Sequence, residues 1–207
     1  MKLLSVLVCL LILSSGFSQP KPNYEAPNLK QAVAAHKMVA ILPLKVAISY
    51  KKLPDGYDSS TNELQQKQQG ISMQQGLFAY LLRKAADFTV SFQDVQRTNV
   101  LLKQAGVFDQ LDSLPADSIC EILKVDAVIR ASYAYDNTAA AATAKKLPFG
   151  IGGAAAPAAF TIQLHKGNDG TLLWRFYKEM NDGAFTNAND LMEKMMGKVG
   201  KKFPYEK

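Results

Sequence analysis

Apolar and polar positions alternate along this chain in two rhythms, of about two and about 3.6 residues, which mark strands and helices respectively. Asn28 is placed to cap a short helix over 29–36. The unbroken apolar run 38–42 predicts a buried central strand; Pro43 interrupts it, and Val46, Ile48 and Tyr50 then alternate with Lys45, Ala47 and Ser49 as a more exposed continuation. Residues 61–85 read as a long helix with Leu64, Ile71, Phe78 and Leu82 on one side, joined by Leu77 and Leu81. Its Gln-rich first half is polar all round and is expected to be mostly solvated. A short strand over 88–92 leads to Asp94, which caps a helix over 95–104 that stops at Gly106. Ser113 and Pro115 open a helix to Lys124, and 125–135 alternates as a half-buried strand. Phe160, Ile162 and Leu164 lie before, and Leu172, Trp174 and Phe176 after, the turn Gly167-Asn168-Asp169-Gly170, which predicts a hairpin. Asn187, with Asp190 three residues on, starts a last helix whose stripe is Leu191, Met192, Met195, Met196 and Val199.

Strands and helices in this order predict an α/β fold: a mixed β-sheet flanked by helices, early strands parallel, with a C-terminal antiparallel hairpin and a closing helix. Two stretches lack either rhythm. Residues 19–27 carry three prolines and read as a disordered lead. Residues 138–159 hold ten alanines and three glycines around Lys145-Lys146 and Pro148-Phe149, which predicts a flexible insertion. The lysine pair, with Pro148 and Pro157, argues against a continuous transmembrane helix there. The expected plan is a signal peptide over 1–18, a proline-containing lead and short helix over 19–36, and one domain over 37–207 carrying the insertion.

The signal-peptide expectation rests on Met1-Lys2, the apolar run 3–13 and the small polar residues up to Gly16-Phe17-Ser18. At about 1.5 Å per residue that run spans roughly 16 Å, about half of a bilayer core. It is therefore expected to be cleaved after Ser18, leaving a periplasmic or secreted chain. Loss of Lys2 from the 24 basic residues, against 18 acidic ones, turns a net charge of +6 into +5. The lysines are spread along the chain, and the nearest cluster, Lys198, Lys201 and Lys202, suits a last helical turn. Nucleic acid is not an expected partner. Of the two cysteines, Cys9 would leave with the signal peptide, and Val8 before it is too large for a lipidation motif. Cys120 then stands alone on an apolar helical face, with no intrachain disulfide available.

Candidate catalytic groups are sparse. His36 and His165 have no acidic or cysteine neighbour at metal-ligand spacing, and His165, on the polar face of its strand, reads as a solvated edge residue. There is no nucleophile elbow or phosphate loop, and Gly150-Ile151-Gly152-Gly153 lacks the flanking strand and helix of a dinucleotide site. Asp109, Asp112 and Asp117 fall where carboxylates serve a turn and a helix start. Two features stand out. One is the insertion, as a flap or a partner-induced or membrane-touching hairpin. The other is a possible binding crevice of Gln93, Asp94, Arg97, Thr98 and Asn99, at the carboxyl end of a strand and the start of a helix, where α/β sheets often bind ligands. The plainer reading of these five residues is a helix cap that ties down a neighbouring loop. No catalytic residue, cofactor or metal is expected.

Val39-Ala40-Ile41-Leu42-Pro43, Gln93-Asp94-Val95 with Thr98-Asn99, Leu123 to Ile129, and Asp169-Gly170-Thr171-Leu172-Leu173-Trp174-Arg175 together resemble the run of motifs in bacterial envelope proteins related to CsgG, LpoB and the amino-terminal domain of TolB. The resemblance covers about 37–204. Phe17-Ser18-Gln19 and the closing Lys202-Phe203-Pro204-Tyr205 also resemble secreted proteins of Bacteroidetes-like bacteria. The likeness implies a non-enzymatic envelope role, as a protein-docking or adaptor module for another envelope protein, and transfers no catalytic or ligand residue. This chain departs from CsgG and LpoB in lacking their lipid anchor, so membrane contact is not expected. Two alternatives stay open: a membrane-associated secretion or pore component using 138–159, and an enzyme acting on an envelope glycan or peptide.

Overall fold

The computed structural model describes residues 22–50, 53, 55–136, 158–180 and 187–207. The chain runs β1 (Tyr24–Glu25), α1 (Leu29–Ala34), β2 (Met38–Ile41), β3 (Lys45–Ser49), α2 (Ser59–Arg83), β4 (Ser91–Phe92), α3 (Val95–Gln104), α4 (Ala116–Leu123), β5 (Ala127–Asp136), β6 (Ala158–Lys166), β7 (Leu172–Met180) and α5 (Ala188–Val199). One mixed sheet is ordered β1-β7-β6-β5-β2-β4, with β3 continuing β2 along the same side of β5. β2, β3 and β4 run parallel with their partners, whereas β6 and β7 form the predicted antiparallel hairpin beside β5. The α/β class read from the sequence is the observed one.

Period-two patterning gives the sheet two covered faces. On one, Val39, Ile41, Val46, Ile48, Ile129 and Ile162 meet α2 and α5. On the other, Ala40, Leu42 and Val128 meet Leu102 of α3 and Ile119, Cys120 and Leu123 of α4. Each fully buried aliphatic side chain contributes about 1.5–3 kcal/mol, so this two-sided burial is what holds the helices to the sheet. Cys120 is buried, as expected of a small hydrophobe, and burial, with Asp117 adding, pushes its thiol up to about 12.

The β2–β3 line breaks at Pro43: the Leu42 N–H still reaches the Ile129 carbonyl of β5 at 3.0 Å, whereas the Leu44 N–H turns to α2. α2 crosses the sheet at this break. The Leu44 N–H donates to the Gly70 carbonyl at 3.1 Å, and a Cβ on Gly70 would overlap the Leu44 carbonyl oxygen. This contact sets the rotation of α2. Its buried face is Gln69, Gly70, Met73, Gln74, Gly76, Leu77 and Leu81, while Leu64 and Leu82 are 67% and 60% exposed. The stripe expected through Leu64 and Leu82 is corrected accordingly: helix packing follows the closest backbone approach, which small glycines allow, over the largest apolar side chains. The helix also starts earlier than predicted, at Ser59, because the Asp58 carboxylate caps it through the Ser60 and Thr61 N–H groups.

Four further expectations change. Asn28 precedes α1, but its side chain makes no cap hydrogen bond there. Tyr24 and Glu25, within the supposed disordered lead, pair with Arg175 and Trp174 and extend the sheet. His165 is not on an edge, since β6 lies between β5 and β7; it is half-buried, with Nδ1 3.2 Å from the Gly170 carbonyl and Nε2 buried without a hydrogen-bond partner among the described residues. Ala158 and Ala159 already belong to β6, opposite Tyr135 and Ala134, while 138–157 lies outside the described residues. The closing Phe203 and Tyr205 are core residues: Phe203 packs edge-on to Phe88 and Trp174, and the Tyr205 carbonyl accepts from the Thr89 N–H.

Candidate functional site

The five residues picked out at the strand–helix junction do come together, at the carboxyl end of β4 and the first turn of α3. Asp94 caps α3, its carboxylate accepting from the Arg97 N–H at 2.9 Å. Gln93 is buried and reaches across to α4, donating from Nε2 to the Leu123 carbonyl at 3.0 Å. Its Oε1 lies 2.9 Å from the hydroxyl of the buried Thr98, which is also 3.0 Å from the Asp94 carbonyl. Asn99 exchanges amide hydrogen bonds with Gln74 of α2, and Gln74 also donates to the Ile41 carbonyl at 2.7 Å. Gln93, Thr98 and Asn99 thus lock α3 to α4, α2 and the end of β2, and each buried polar group meets a partner. Asp94 and Arg97 are exposed, and they carry what this junction presents outward.

Two depressions lie elsewhere. A cleft of about 770 Å³ is bounded by α1 through Asn28 and Gln31, by His36, by Lys124 after α4, and by Lys166 and Asn168 of the hairpin turn. The Asp126 carboxylate at its floor accepts from the Lys37 and Met38 N–H groups at 2.7 and 2.8 Å, which anchors the start of β2. Burial raises this carboxyl, but the two backbone N–H bonds outweigh it and hold the group below the usual carboxylate range. Burial pushes the His36 imidazole down, against the opposing pull of Asp126, and its Nδ1 lies 2.7 Å from the Tyr205 hydroxyl. Its lining carries both signs of charge, Glu121 and Asp126 with Lys124 and Lys166.

The second depression, of about 310 Å³, runs beside β3 between α2 and the α3–α4 connection, and sequence reasoning missed it. Leu44, Ile71, Phe108 and Leu111 form its apolar surface. Ion pairs cross its rim, Lys45 to Asp112 at 2.7 Å and Lys67 to Asp109 at 3.1 Å, all four side chains being largely exposed. The signal that marks it is Pro43: a strand interrupted by proline, then continued with an exposed alternate face, sits at a sheet edge.

Among the described residues, no group of three or more His, Cys, Asp or Glu side chains is placed to hold a metal ion, and no helix is long and apolar enough to cross a membrane. No protein-family model matches the chain, and no curated protein does. Several solved structures are similar in part. A lipoprotein of Neisseria meningitidis aligns at TM-score 0.42 and 11% identity, over 80% of this chain and 94% of its own. LpoB of E. coli aligns at TM-score 0.43 and 10% identity, over 74% of this chain and 63% of its own. The PelC dodecamer of Paraburkholderia phytofirmans aligns at TM-score 0.37 and 13% identity, over 86% of this chain and 91% of that one. These values describe a loose likeness; the α/β class of this chain rests on its own sheet.

Proposed function

We propose that this chain is exported through residues 1–18 and works in the bacterial cell envelope as a non-enzymatic docking or adaptor module for another envelope protein, akin in role to the CsgG, LpoB and TolB group. The observation that carries this reading is the use made of the polar junction: Gln93, Thr98 and Asn99 hold helices together, which leaves Asp94 and Arg97 as surface contact residues and the groove beside β3 as an open recess. The layout of residues 1–18 supports the address. A role in docking also fits a rigid two-sided core, because a surface that keeps its shape loses little entropy on binding. Whole-cell crosslinking of the tagged chain in its own cells, with partners identified by mass spectrometry, tests the proposal. A discrete envelope protein that disappears when Asp94 and Arg97 are both changed to Ala, or when the groove rim is reversed in charge, is the expected result. Recovery of no specific partner overturns it.

A further inference from the structure

We propose that the outer edge of β3 takes up an extended, basic peptide segment of a partner protein, which adds to the sheet as one more strand. The inference rests on the docking role above and names its mode.

Among the described residues β3 pairs only with β5, in parallel register from Lys45 opposite Ser132 to Ser49 opposite Asp136. Strand geometry turns every second N–H and C=O toward the opposite side. At the head of β3, Leu44 already points there, its N–H satisfied by Gly70 of α2. β4 covers this side of the sheet only as far as Met38 and Val39. Beyond it, from Pro43 to Val46, the edge opens into the 310 Å³ groove, with α2 on one wall and the α3–α4 connection on the other. An open edge of this kind is a template for strand addition.

The shape of the recess selects the occupant. Its two walls stand on opposite faces of the sheet, a shape that suits a single extended segment better than the edge of a whole second sheet. A single extended segment passes between them. Ile71, Phe108 and Leu111 are half-buried and offer apolar contact to alternate side chains of such a segment. At the rim, two lysines face three carboxylates, and Glu63 has no ion-pair partner among the described residues, which favours a cationic residue on the incoming strand. The exposed Lys45–Asp112 pair opens at little cost, since such surface pairs contribute about 0–1 kcal/mol. Arg130 fixes the far wall, donating to the Leu111 carbonyl at 2.9 Å and the Leu114 carbonyl at 2.6 Å. The groove is therefore preformed, and the ordering cost falls on the peptide.

The test uses the chain from Gln19, which keeps every described residue, and a displayed library of random peptides about a dozen residues long. The strongest binder is resynthesised twice, with backbone N-methyl groups on alternate residues in one register and in the other. Strand addition predicts an enriched pattern of alternating apolar and basic residues. One N-methyl register should weaken binding by about tenfold or more, the other by less than about twofold, because only alternate amides face β3. Amide exchange should slow along 45–49. Equal weakening in both registers, protection confined to another part of the surface, or a library that yields no binder each overturns the proposal. Loss of register dependence with a partner still captured in cells removes the strand and keeps the docking role. Absence of any cellular partner removes the docking role itself.

Discussion

At the scale of single residues, close backbone contact and buried rings dominate the account. Gly70→Ala places a methyl group against the backbone of Leu44, which cannot move without breaking the β2–β3 line. The expected loss is about 2 kcal/mol despite the better helix propensity of alanine, read from urea unfolding. Tyr205→Ala should cost about 3–5 kcal/mol, while Tyr205→Phe, which removes only the bond to His36, should cost about 1 kcal/mol. Acid sensitivity belongs to this scale too. Burial lowers the affinity of His36 and His165 for protons in the folded chain, so the unfolded chain protonates first. Their stabilising share is complete above the ordinary imidazole value of 6.5 and is lost as the pH falls through it. Asp126 acts lower, its share being present above the unfolded value of 3.8 and lost as the pH falls below that. Thermal unfolding midpoints should therefore drop between about pH 7.5 and pH 5.5, and His36→Gln should flatten that drop. Little of this was legible in the sequence. That Gln93 to Asn99 cap a helix and tie down a neighbour was the plainer reading of the sequence, but the partners, the Leu123 and Asp94 carbonyls among them, come from the fold.

Among the elements, legibility followed the strength of local signals. The hairpin β6–β7, the Asp94 cap and the Asn187 cap are each encoded within a few residues, and each is found where the pattern puts it. The face of α2 was misread because its position is decided by a partner far along the chain: Gly70 must meet Leu44, and Gly76 must approach Ala188 at the start of α5. Strand β1 was missed for a similar reason, since two residues carry no period and depend on the edge of β7 to form. His165 was read as solvated because a polar side chain on a period-two strand gives no hint that further strands cover both sides of it. Arg130 links two elements across the open part of the sheet, and Arg130→Ala should free the α3–α4 connection. The expected cost is about 2 kcal/mol, with faster amide exchange over 107–114 seen by mass spectrometry.

Taken as a whole molecule, the chain presents one sheet with helices on both faces, a polar junction tied inward, and a groove along an open strand edge. Those features suit a surface that docks a partner, the role proposed above. Export makes its own prediction: the chain recovered from its cells should begin at Gln19, checked by the mass of the N-terminal peptide. The distinction between docking and membrane assembly is sharper in solution. Light scattering after size-exclusion chromatography of the chain from Gln19 to Lys207, with and without liposomes, tests it most directly. A docking module gives a monomer whose elution and mass are unchanged by lipid. A defined ring, or a species carried with the liposomes, would contradict that role and bring the membrane-associated assembly forward in its place.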